Sequence, residues 1–322
     1  MRLRVTQLRL EADGVISVVL RGLDGDRLPE WSAGAHVTVT LPSGLLRQYS
    51  LCGSPDDPHS YTIAVLLVGD GRGGSREIHE QLRIGDVIEV GVPRNNFALA
   101  PAERYLFIAG GIGITPILAM VDAVRGQLEP RPFRLIYGGR SRPTMAFLDR
   151  LGALDGVDLA PQDTAGLPDI EGALAASPPG TAVYCCGPPA MLAAIQEACG
   201  GHPHLSLHIE RFAAAADNAA KDNAADDIVR DDDGAFEVEL ARSGRIVTVA
   251  ANQSVLDAVL EVAPDTAFSC TEGFCGTCET QVLDGRIDHR DDLLTDDERR
   301  ANATMMICVS RSLGHGRLTL DL

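Results

Sequence analysis

Four cysteines near the end of the chain have a spacing that can hold a metal cluster. They are Cys270, Cys275, Cys278 and Cys308. The first three follow one another as Cys-x4-Cys-x2-Cys, and 29 residues separate the third from the fourth. This pattern is typical of a plant-type [2Fe–2S] centre, in which four thiolates hold two irons. Gly273 and Gly276 allow the loop to take positive φ and bring backbone N–H groups against the sulfurs.

Disulfide bonds and a zinc site are the alternatives to a cluster for these thiols. Disulfides need an oxidising compartment, and the first residues, Met-Arg-Leu-Arg-Val, contain no apolar signal stretch. A zinc site usually takes its ligands as two close pairs, whereas here three thiols cluster and the fourth stands alone. The spacing therefore favours the iron–sulfur interpretation and a role in one-electron transfer.

Composition and charge limit the other classes of function. The 322 residues are enough for two or three domains, and 45% hydrophobic with 23% charged residues is ordinary for a soluble globular protein. A net charge of −17 argues against nucleic acid or an anionic membrane as partner. Residues 213–322 carry 22 acidic and 10 basic side chains, so the cysteine-bearing end is the acidic end. Proline and glycine interrupt the uncharged runs, so we expect a cytoplasmic protein with no membrane span.

The first hundred residues predict β structure. Short apolar runs separated by turn residues lie at 4–10, 15–20, 36–41, 61–68 and 87–92. Strands of this length and spacing indicate an antiparallel barrel. A helix is predicted over residues 75–82, after the glycine-rich turn at 71–75. Such a turn before a helix N-terminus favours phosphate, and Ser75 is the expected N-cap.

Arg-Gln-Tyr-Ser at residues 47–50 complements this turn. On its own it is a strand with one arginine and one tyrosine. Together with the turn it provides an arginine for phosphate, an aromatic ring to pack beside a flavin and a hydroxyl for the ring edge.

Residues 103–212 alternate between predicted strands and helices, which indicates a parallel sheet with right-handed crossovers. The strands are predicted at 105–109, 133–137, 182–186 and 205–209, and the helices at 116–127, 144–151 and 189–199. Glycine-rich turns follow two strands at the carboxyl edge, where such sheets bind nucleotides. They are Gly-Gly-Ile-Gly-Ile-Thr-Pro at 110–116 and Cys-Gly-Pro-Pro at 186–189. Thr115 is the expected N-cap and Pro116 the first helical residue.

Residues 213–233 are rich in alanine and aspartate, which predicts a linker. A new β pattern begins at Ala235, and Ser254 is expected to cap a helix over 255–262. The chain therefore divides into residues 1–101, 102–212, the linker at 213–233, and 234–322.

With these motifs in order, the chain resembles the phthalate dioxygenase reductase and vanillate demethylase reductase family along its whole length. The resemblance rests on six motifs, which are residues 47–50, 72–75, 110–116, 186–188 and 210–212 and the four cysteines. It implies an FMN-binding antiparallel barrel, an NAD-binding α/β domain of the ferredoxin reductase kind, and a β-grasp plant-type ferredoxin domain.

The resemblance also implies residue roles. FMN would contact Arg47, Gln48, Tyr49, Ser50, Ala64, Val65, Leu66, Gly73, Gly74 and Ser75. NADH, rather than NADPH, would contact Gly110, Gly111, Gly113, Thr115, Cys186, Gly187 and Pro188. Ser50, Cys186 and Phe212 would be the catalytic residues, with Phe212 stacked over the flavin.

The function implied is that of the reductase component of a multicomponent oxygenase or demethylase in aromatic catabolism. A monomer would pass electrons from NADH through FMN and the cluster to a separate terminal oxygenase, Rieske-type by expectation, docked at the acidic ferredoxin end. The alternatives are a redox-sensing electron-transfer module, or a general NAD(P)H:acceptor reductase with a non-Rieske partner. A self-contained oxygenase is disfavoured, because the Cys-x-His pairs of a Rieske centre are absent. The local grouping that could hold mononuclear iron, His202, His204 and His208 with Glu210, is interpreted as strand and loop residues, and His289 is expected to be a surface loop residue.

Overall fold

The computed structural model describes residues 1–69, 73–152, 154–212, 233–268, 271, 273, 276–291 and 293–322. The chain forms two compact units, unit 1 (Met1–Phe212) and unit 2 (Ala213–Leu322). The division into two units falls at the start of the predicted linker. Of that linker, only Asp233 belongs to the described residues. No helix within the described ranges is long and apolar enough to cross a membrane.

The first part of unit 1 is an antiparallel barrel, as predicted. Its strands are Arg2–Ala12 (β1), Val15–Gly22 (β2), His36–Thr40 (β3), Leu46–Ser50 (β4), Ser60–Leu66 (β5) and Val87–Val90 (β6). They form one sheet in the order β4-β3-β6-β1-β2-β5. The two edges meet at a bridge between Leu51 and Ile63, and the Cys52 N–H donates to the Thr62 carbonyl at 2.9 Å. This contact closes the sheet.

Alternation along the strands fills the barrel. Val37 and Val39 of β3 point inward into a core of aliphatic residues, while His36 and Thr38 point outward. Helix α1, Gly74–Gln81, follows β5 and packs Ile78 into the same core. The predicted helix therefore exists, although it starts one residue earlier than expected.

The second part of unit 1 is a parallel sheet flanked by helices. Its strands are Arg104–Gly110 (β7), Phe133–Gly139 (β8), Val157–Pro161 (β9), Thr181–Cys186 (β10) and Ser206–Glu210 (β11), in the order β11-β10-β7-β8-β9. Its helices are Ile114–Arg125 (α2), Leu148–Leu151 (α3), Gln162–Ala165 (α4), Ile170–Ala175 (α5) and Pro189–Gly200 (α6). The strand order places β7 and β10, which carry the two glycine turns, side by side.

One predicted helix in this part is wrong. Residues 144–151 contain only the single turn of α3, preceded by a 3-10 turn at Arg142–Thr144. Met145 is extended, and Phe147 has a left-handed φ of 62°, so the helix cannot run through them. Phe147 is buried, and its packing overrides the apolar pattern that predicted a longer helix.

Unit 2 contains a mixed sheet of five strands with a short helix packed on it, a β-grasp arrangement. The strands are Phe236–Leu240 (β12), Arg245–Val249 (β13), Glu279–Asp284 (β14), Thr304–Met306 (β16) and Leu318–Leu320 (β18), in the order β13-β12-β18-β14-β16. Ile287–Asp288 (β15) pairs with Arg311–Ser312 (β17). The helices are Val255–Leu260 (α7) and Asp296–Ala301 (α8). Ser254 caps α7 as predicted, since its Oγ accepts the Asp257 N–H at 3.0 Å.

Candidate functional site

The first part of the site is the corner where strand β4 meets the start of helix α1. Gly73 precedes the helix with a left-handed φ of 80°, a conformation that favours glycine. A Cβ on Gly74 would lie 2.5 Å from Nε of Arg47, so the guanidinium lies directly on the first helical turn. An arginine beside helix N–H groups is a favourable arrangement for phosphate. The fold thus brings two of the predicted phosphate residues together.

Ser75 does not have the N-cap role that the sequence predicts. The N-cap of α1 is Gly73, and no side chain caps the helix. Ser75 lies in the first turn, where its Oγ accepts a hydrogen bond from the Val68 N–H at 3.1 Å. The capping prediction is wrong, because the left-handed glycine already turns the chain into the helix. The phosphate contact of Ser75 stays a prediction.

The side chains of β4 divide between two faces of the barrel. Tyr49 packs against the barrel core, and burial raises the pKa of its hydroxyl while Arg47 acts in the opposite direction. Gln48 and Ser50 lie on the other face by the alternation of the strand. Ser50 is buried and is the cross-strand partner of His36.

Residues 64–66 of strand β5 are buried to different extents. Val65 lies in the barrel core, so any contact that it makes with a ligand would use its backbone. Ala64 packs instead in the core shared by the barrel and the parallel sheet, and half-buried Leu66 packs against that core. The predicted run of flavin contacts along this strand stays a prediction.

The nucleotide part of the site consists of two turns in direct contact at the carboxyl edge of the parallel sheet. A Cβ on Gly113 would lie 2.2 Å from the carbonyl oxygen of Cys186 and 2.8 Å from the nitrogen of Gly187. A Cβ on Gly110 would lie 2.6 Å from Cδ of Pro188. Only glycine permits this approach. The residues of two motifs that are far apart in the chain therefore form one continuous backbone surface.

The start of helix α2 differs from the prediction. Gly113 is the N-cap and Ile114 the first helical residue, so Thr115 is not the N-cap and Pro116 is not in the first position. The 3-10 turn Gly111–Gly113 already leads the chain into the helix. Thr115 is buried, and its hydroxyl donates to the Ile112 carbonyl at 3.0 Å. This bond holds the turn in shape.

Three groups meet where the barrel adjoins the parallel sheet, namely the buried Ser50 and Cys186 and the half-buried Glu210. Glu210 ends β11 in register with Cys186 of β10. Burial raises the pKa of Glu210 to about 8, and the neighbouring Ser50 hydroxyl acts in the opposite direction. Burial, with Glu210 adding to it, also raises the pKa of the Cys186 thiol well above its usual range. Both shifts favour the protonated carboxyl and the protonated thiol.

Two of these groups have polar atoms available to a ligand. The Ser50 hydroxyl is near enough to the Glu210 carboxyl to lower its pKa, but Oγ of Ser50 and Oε2 of Glu210 make no hydrogen bond of good geometry within the part of the chain that the structure describes. Buried polar atoms are nearly always paired, so such atoms mark a place that a bound group completes. The site fits a flavin and a nicotinamide on this ground.

Glu210 is the residue whose role sequence reasoning misses, because the sequence analysis includes it in the motif at 210–212 and interprets it, with the nearby histidines, as a strand residue. The available signal is a carboxyl group at the end of an apolar strand. Its significance depends on the register with Cys186 and on Ser50, and neither can be read from the sequence. Phe212 follows and is 39% exposed, and its stacking over the flavin stays a prediction.

The cysteine loop belongs to unit 2. Cys278 directly precedes β14 and Cys308 follows β16, and these strands pair with Glu279 opposite Met306. Both cysteines are buried. Cys270 and Cys275 lie outside the described residues, so the four-thiol ligand set stays a prediction.

The two loop glycines have the conformation that the sequence predicts. Gly273 has φ of 76° and Gly276 has φ of 73°. A Cβ on Gly273 would lie 2.6 Å from Cγ2 of Val309, and one on Gly276 would lie 2.9 Å from Cδ2 of Leu293. The loop is therefore packed closely enough to require both glycines.

Asp291 holds in place the segment that packs against the two loop glycines. Its buried carboxylate accepts the N–H groups of Leu294 at 2.8 Å and of Leu293 at 3.2 Å. His289 is not a surface residue, which corrects the prediction, since its side chain is only 8% exposed and lies 3.6 Å from Asp291. The strand pairing of β15 and β17 draws this segment into the core of unit 2.

Comparison with known proteins covers the whole chain. The 2Fe-2S iron-sulfur cluster binding domain matches residues 238–313, which contain all four cysteines. Phenoxybenzoate dioxygenase subunit beta of Ectopseudomonas oleovorans is 43% identical over 99% of this chain and 97% of its own length.

Two solved structures share the fold over all of this chain. One is phthalate dioxygenase reductase, described as a modular structure for electron transfer from pyridine nucleotides to [2Fe-2S]. It is 36% identical, with a TM-score of 0.73 and 98% of that chain covered. The other is an intact type IV self-sufficient cytochrome P450 monooxygenase, 42% identical with a TM-score of 0.86, of which this chain spans 41%.

Proposed function

The chain belongs to the phthalate dioxygenase reductase family, and on this basis we propose that it is the reductase component of a multicomponent oxygenase or demethylase system. In this role it passes electrons from NADH through FMN to a [2Fe–2S] centre and on to a separate terminal oxygenase. The observation that carries the proposal is the contact of the turn at 110–113 with the turn at 186–188, in the part of unit 1 that also brings Ser50 beside Glu210.

Each cofactor has a set of residues that fits it. Arg47 and the first turn of α1 would hold the FMN phosphate, with Tyr49 and residues 64–66 along the flavin. The two glycine turns would hold the pyrophosphate and nicotinamide of NADH. When bound, NADH supplies a hydride, FMN converts the electron pair into single electrons, and the cluster carries them one at a time. We retain residues 1–101, 102–212 and 234–322 as the three domains.

The residues of unit 1 would bind and orient the flavin and the nicotinamide and exclude water from them. Ser50 can donate to or accept from the edge of a flavin, and Glu210, protonated below about pH 8, can donate a hydrogen bond. Cys186 presents a neutral thiol, so it acts as a small packing group and not as a nucleophile. The catalytic assignment of Ser50, Cys186 and Phe212 is thereby extended to Glu210.

A Cys275→Ser variant tests the relay. We expect NADH-dependent reduction of a two-electron dye to persist, while reduction of cytochrome c falls at least tenfold, because the variant lacks one cluster thiolate. Cys199→Ser, in helix α6 of unit 1, is the matched control and should leave both rates unchanged. Cytochrome c reduction at the wild-type rate in Cys275→Ser would overturn the proposed route through the cluster.

The partner would dock at the acidic end of the chain. Residues 213–322 carry a net charge of −12 of the total of −17, which favours a basic patch on a terminal oxygenase, Rieske-type in this proposal. Screening should then slow partner reduction as ionic strength rises. A rate that stays flat between about 0.02 and 0.5 M salt would contradict this docking mode.

A second partner class has an observation in its favour. The solved structure of the self-sufficient cytochrome P450 monooxygenase has a higher TM-score to this chain than phthalate dioxygenase reductase, 0.86 against 0.73. A separate P450 would therefore be the alternative acceptor. Reduction assays with Rieske oxygenases and P450s from the same genome would separate the two. We further propose a cytoplasmic monomer, which size-exclusion chromatography would check.

A further inference from the structure

Glu77 is a buried carboxylate in the first turn of helix α1, close to where the FMN phosphate is expected. Both of its oxygens contact the turn between β3 and β4. The Ser43 N–H donates to Oε1 at 2.9 Å, and the Ser43 hydroxyl donates to Oε2 at 2.5 Å. The carboxylate therefore joins α1 to a turn that lies 34 residues away in the chain.

The negative charge of Glu77 is unexpected so close to the expected phosphate site. A carboxylate near a phosphate repels it. The Glu77 carboxylate and the phosphate would also compete for the positive end of the same helix dipole. Glu77 forms no salt bridge within the described residues that would neutralise it. Its presence therefore needs a reason other than electrostatic attraction of the ligand.

Other hydrogen bonds hold the same helix to a different part of the barrel. They run from Val68 N–H to Ser75 Oγ at 3.1 Å, from Arg76 to the Gly69 carbonyl at 2.6 Å, and from His79 Nε2 to the Val65 carbonyl at 2.9 Å. All three connect α1 to β5 or to the residues just after it. Glu77 supplies the connection to the β3–β4 side, so the helix is held between two parts of the barrel.

The corner that results leaves little room for movement. Arg47 lies so close to Gly74 that a Cβ there would be 2.5 Å from its Nε. After burial, the next influences on the pKa of Tyr49 are Arg47, which lowers it, and Glu77, which raises it, so both charged groups lie near the Tyr49 hydroxyl. A small displacement of the first turn of α1 would separate its N–H groups from the guanidinium.

We propose that Glu77 is a positioning residue for the FMN phosphate. By joining helix α1 to Ser43, it holds the first turn against Arg47 and strengthens FMN binding in spite of its charge. This inference rests on the proposed function, because it takes the bound flavin to be FMN.

The test compares flavins with and without a phosphate. The full-length protein, stripped of flavin, is titrated with FMN and with riboflavin, and the dissociation constants follow from quenching of flavin fluorescence. In Glu77→Gln we expect the FMN constant to rise about tenfold and the riboflavin constant to change less than about twofold, since a hydrogen bond to a charged group is lost. Ser43→Ala, a milder change in an exposed turn, should raise only the FMN constant, by about threefold.

Glu80→Gln is the matched control, because Glu80 lies on the same helix and is exposed. It should leave both constants unchanged. Tighter FMN binding in Glu77→Gln would show that the carboxylate only repels the ligand, and equal weakening of FMN and riboflavin would show a general structural role. Either result overturns the proposal. A wild-type protein that binds no FMN would instead overturn the proposed function, and this inference with it.

Discussion

Glu77 and Glu210 in unit 1 form no salt bridge within the described residues, whereas Asp233 and Asp291 in unit 2 lie against arginines. Asp233 accepts two hydrogen bonds from Arg290, at 2.8 and 2.5 Å, and lies 3.6 Å from Arg311. In unit 1, neutral donors hold Glu77, and Glu210 stays protonated to about pH 8. We therefore expect the stability of unit 1 to depend on pH, and the stability of unit 2 to fall when a single charged side chain is removed.

The two carboxylates that support turns also differ in how far they reach along the chain. Asp291 accepts N–H groups from residues two and three positions later, a local turn that short polar side chains commonly form. Glu77 reaches Ser43, 34 residues away. A carboxylate that accepts backbone N–H groups thus stabilises a local turn in unit 2, whereas in unit 1 it connects a helix to a hairpin that is distant in the chain.

The largest expected effect is in unit 2. Asp233→Ala leaves the buried guanidinium groups of Arg290 and Arg311 without this carboxylate, and we expect the free energy of unfolding to fall by about 3–5 kcal/mol. Urea unfolding followed by the visible absorbance of the cluster would measure it. Asp297→Ala, which removes the exposed partner of Arg300, should cost less than about 1 kcal/mol. Equal effects of the two changes would show that the buried ion pair stabilises unit 2 no more than an exposed one, and unit 2 would then lose the sensitivity to charge removal that distinguishes it from unit 1.

The next effect is the pH dependence of unit 1. The pKa of Glu210 rises from 4.5 to about 8 on folding, so the folded state keeps a proton that the unfolded state releases. Its contribution to stability is present below about pH 4.5 and is lost as pH rises toward 8. We expect Glu210→Gln to abolish this dependence of stability on pH. At pH 8.5 the free energy of unfolding of the variant should exceed that of wild type by about 2–4 kcal/mol.

Trp31, the only tryptophan, lies in unit 1 and provides the fluorescence signal for this measurement. The two proteins should have similar stability near pH 5, where the wild-type carboxyl is protonated in the folded state. If the free energy of unfolding of wild type and of Glu210→Gln changed in parallel from pH 5 to 8.5, the raised pKa of Glu210 would be contradicted.

The smallest effect concerns the nucleotide turns, which are built from backbone and not from charges. In Gly113→Ala a Cβ would lie 2.2 Å from the Cys186 carbonyl, so the turns must separate. We expect the KM for NADH to rise about tenfold while FMN stays bound, at a cost of about 1–3 kcal/mol in stability. Gly200→Ala, where a Cβ has no neighbour within 4 Å, should leave NADH kinetics unchanged. An unchanged KM in Gly113→Ala would mean that NADH does not bind at these turns.

Local sequence signals predicted much of the fold. The alternating runs of the barrel, the strand–helix alternation after it and the capping of α7 by Ser254 depend on neighbouring residues, and the structure confirms them. The capping roles of Ser75 and Thr115 were wrong for a common reason. At both helices a glycine directly before the first helical residue is the N-cap, which a rule based on polar side chains overlooks.

The predictions failed mainly where burial and long-range contacts decide. Residues 144–151 have a helical pattern, yet Phe147 is buried in a left-handed conformation that interrupts it. His289 has a polar sequence context, yet strand pairing draws it inside unit 2. Both outcomes depend on contacts with residues that are distant in the chain.

Residue type and short spacing were enough to indicate an iron–sulfur loop, two nucleotide turns and a phosphate corner, because glycine conformation and thiolate chemistry are local properties. The protonation of Glu210 and the connection of Glu77 to Ser43 were decided by the tertiary structure alone. Both depend on burial and on donors from strands that are distant in sequence, and only the folded chain brings these together.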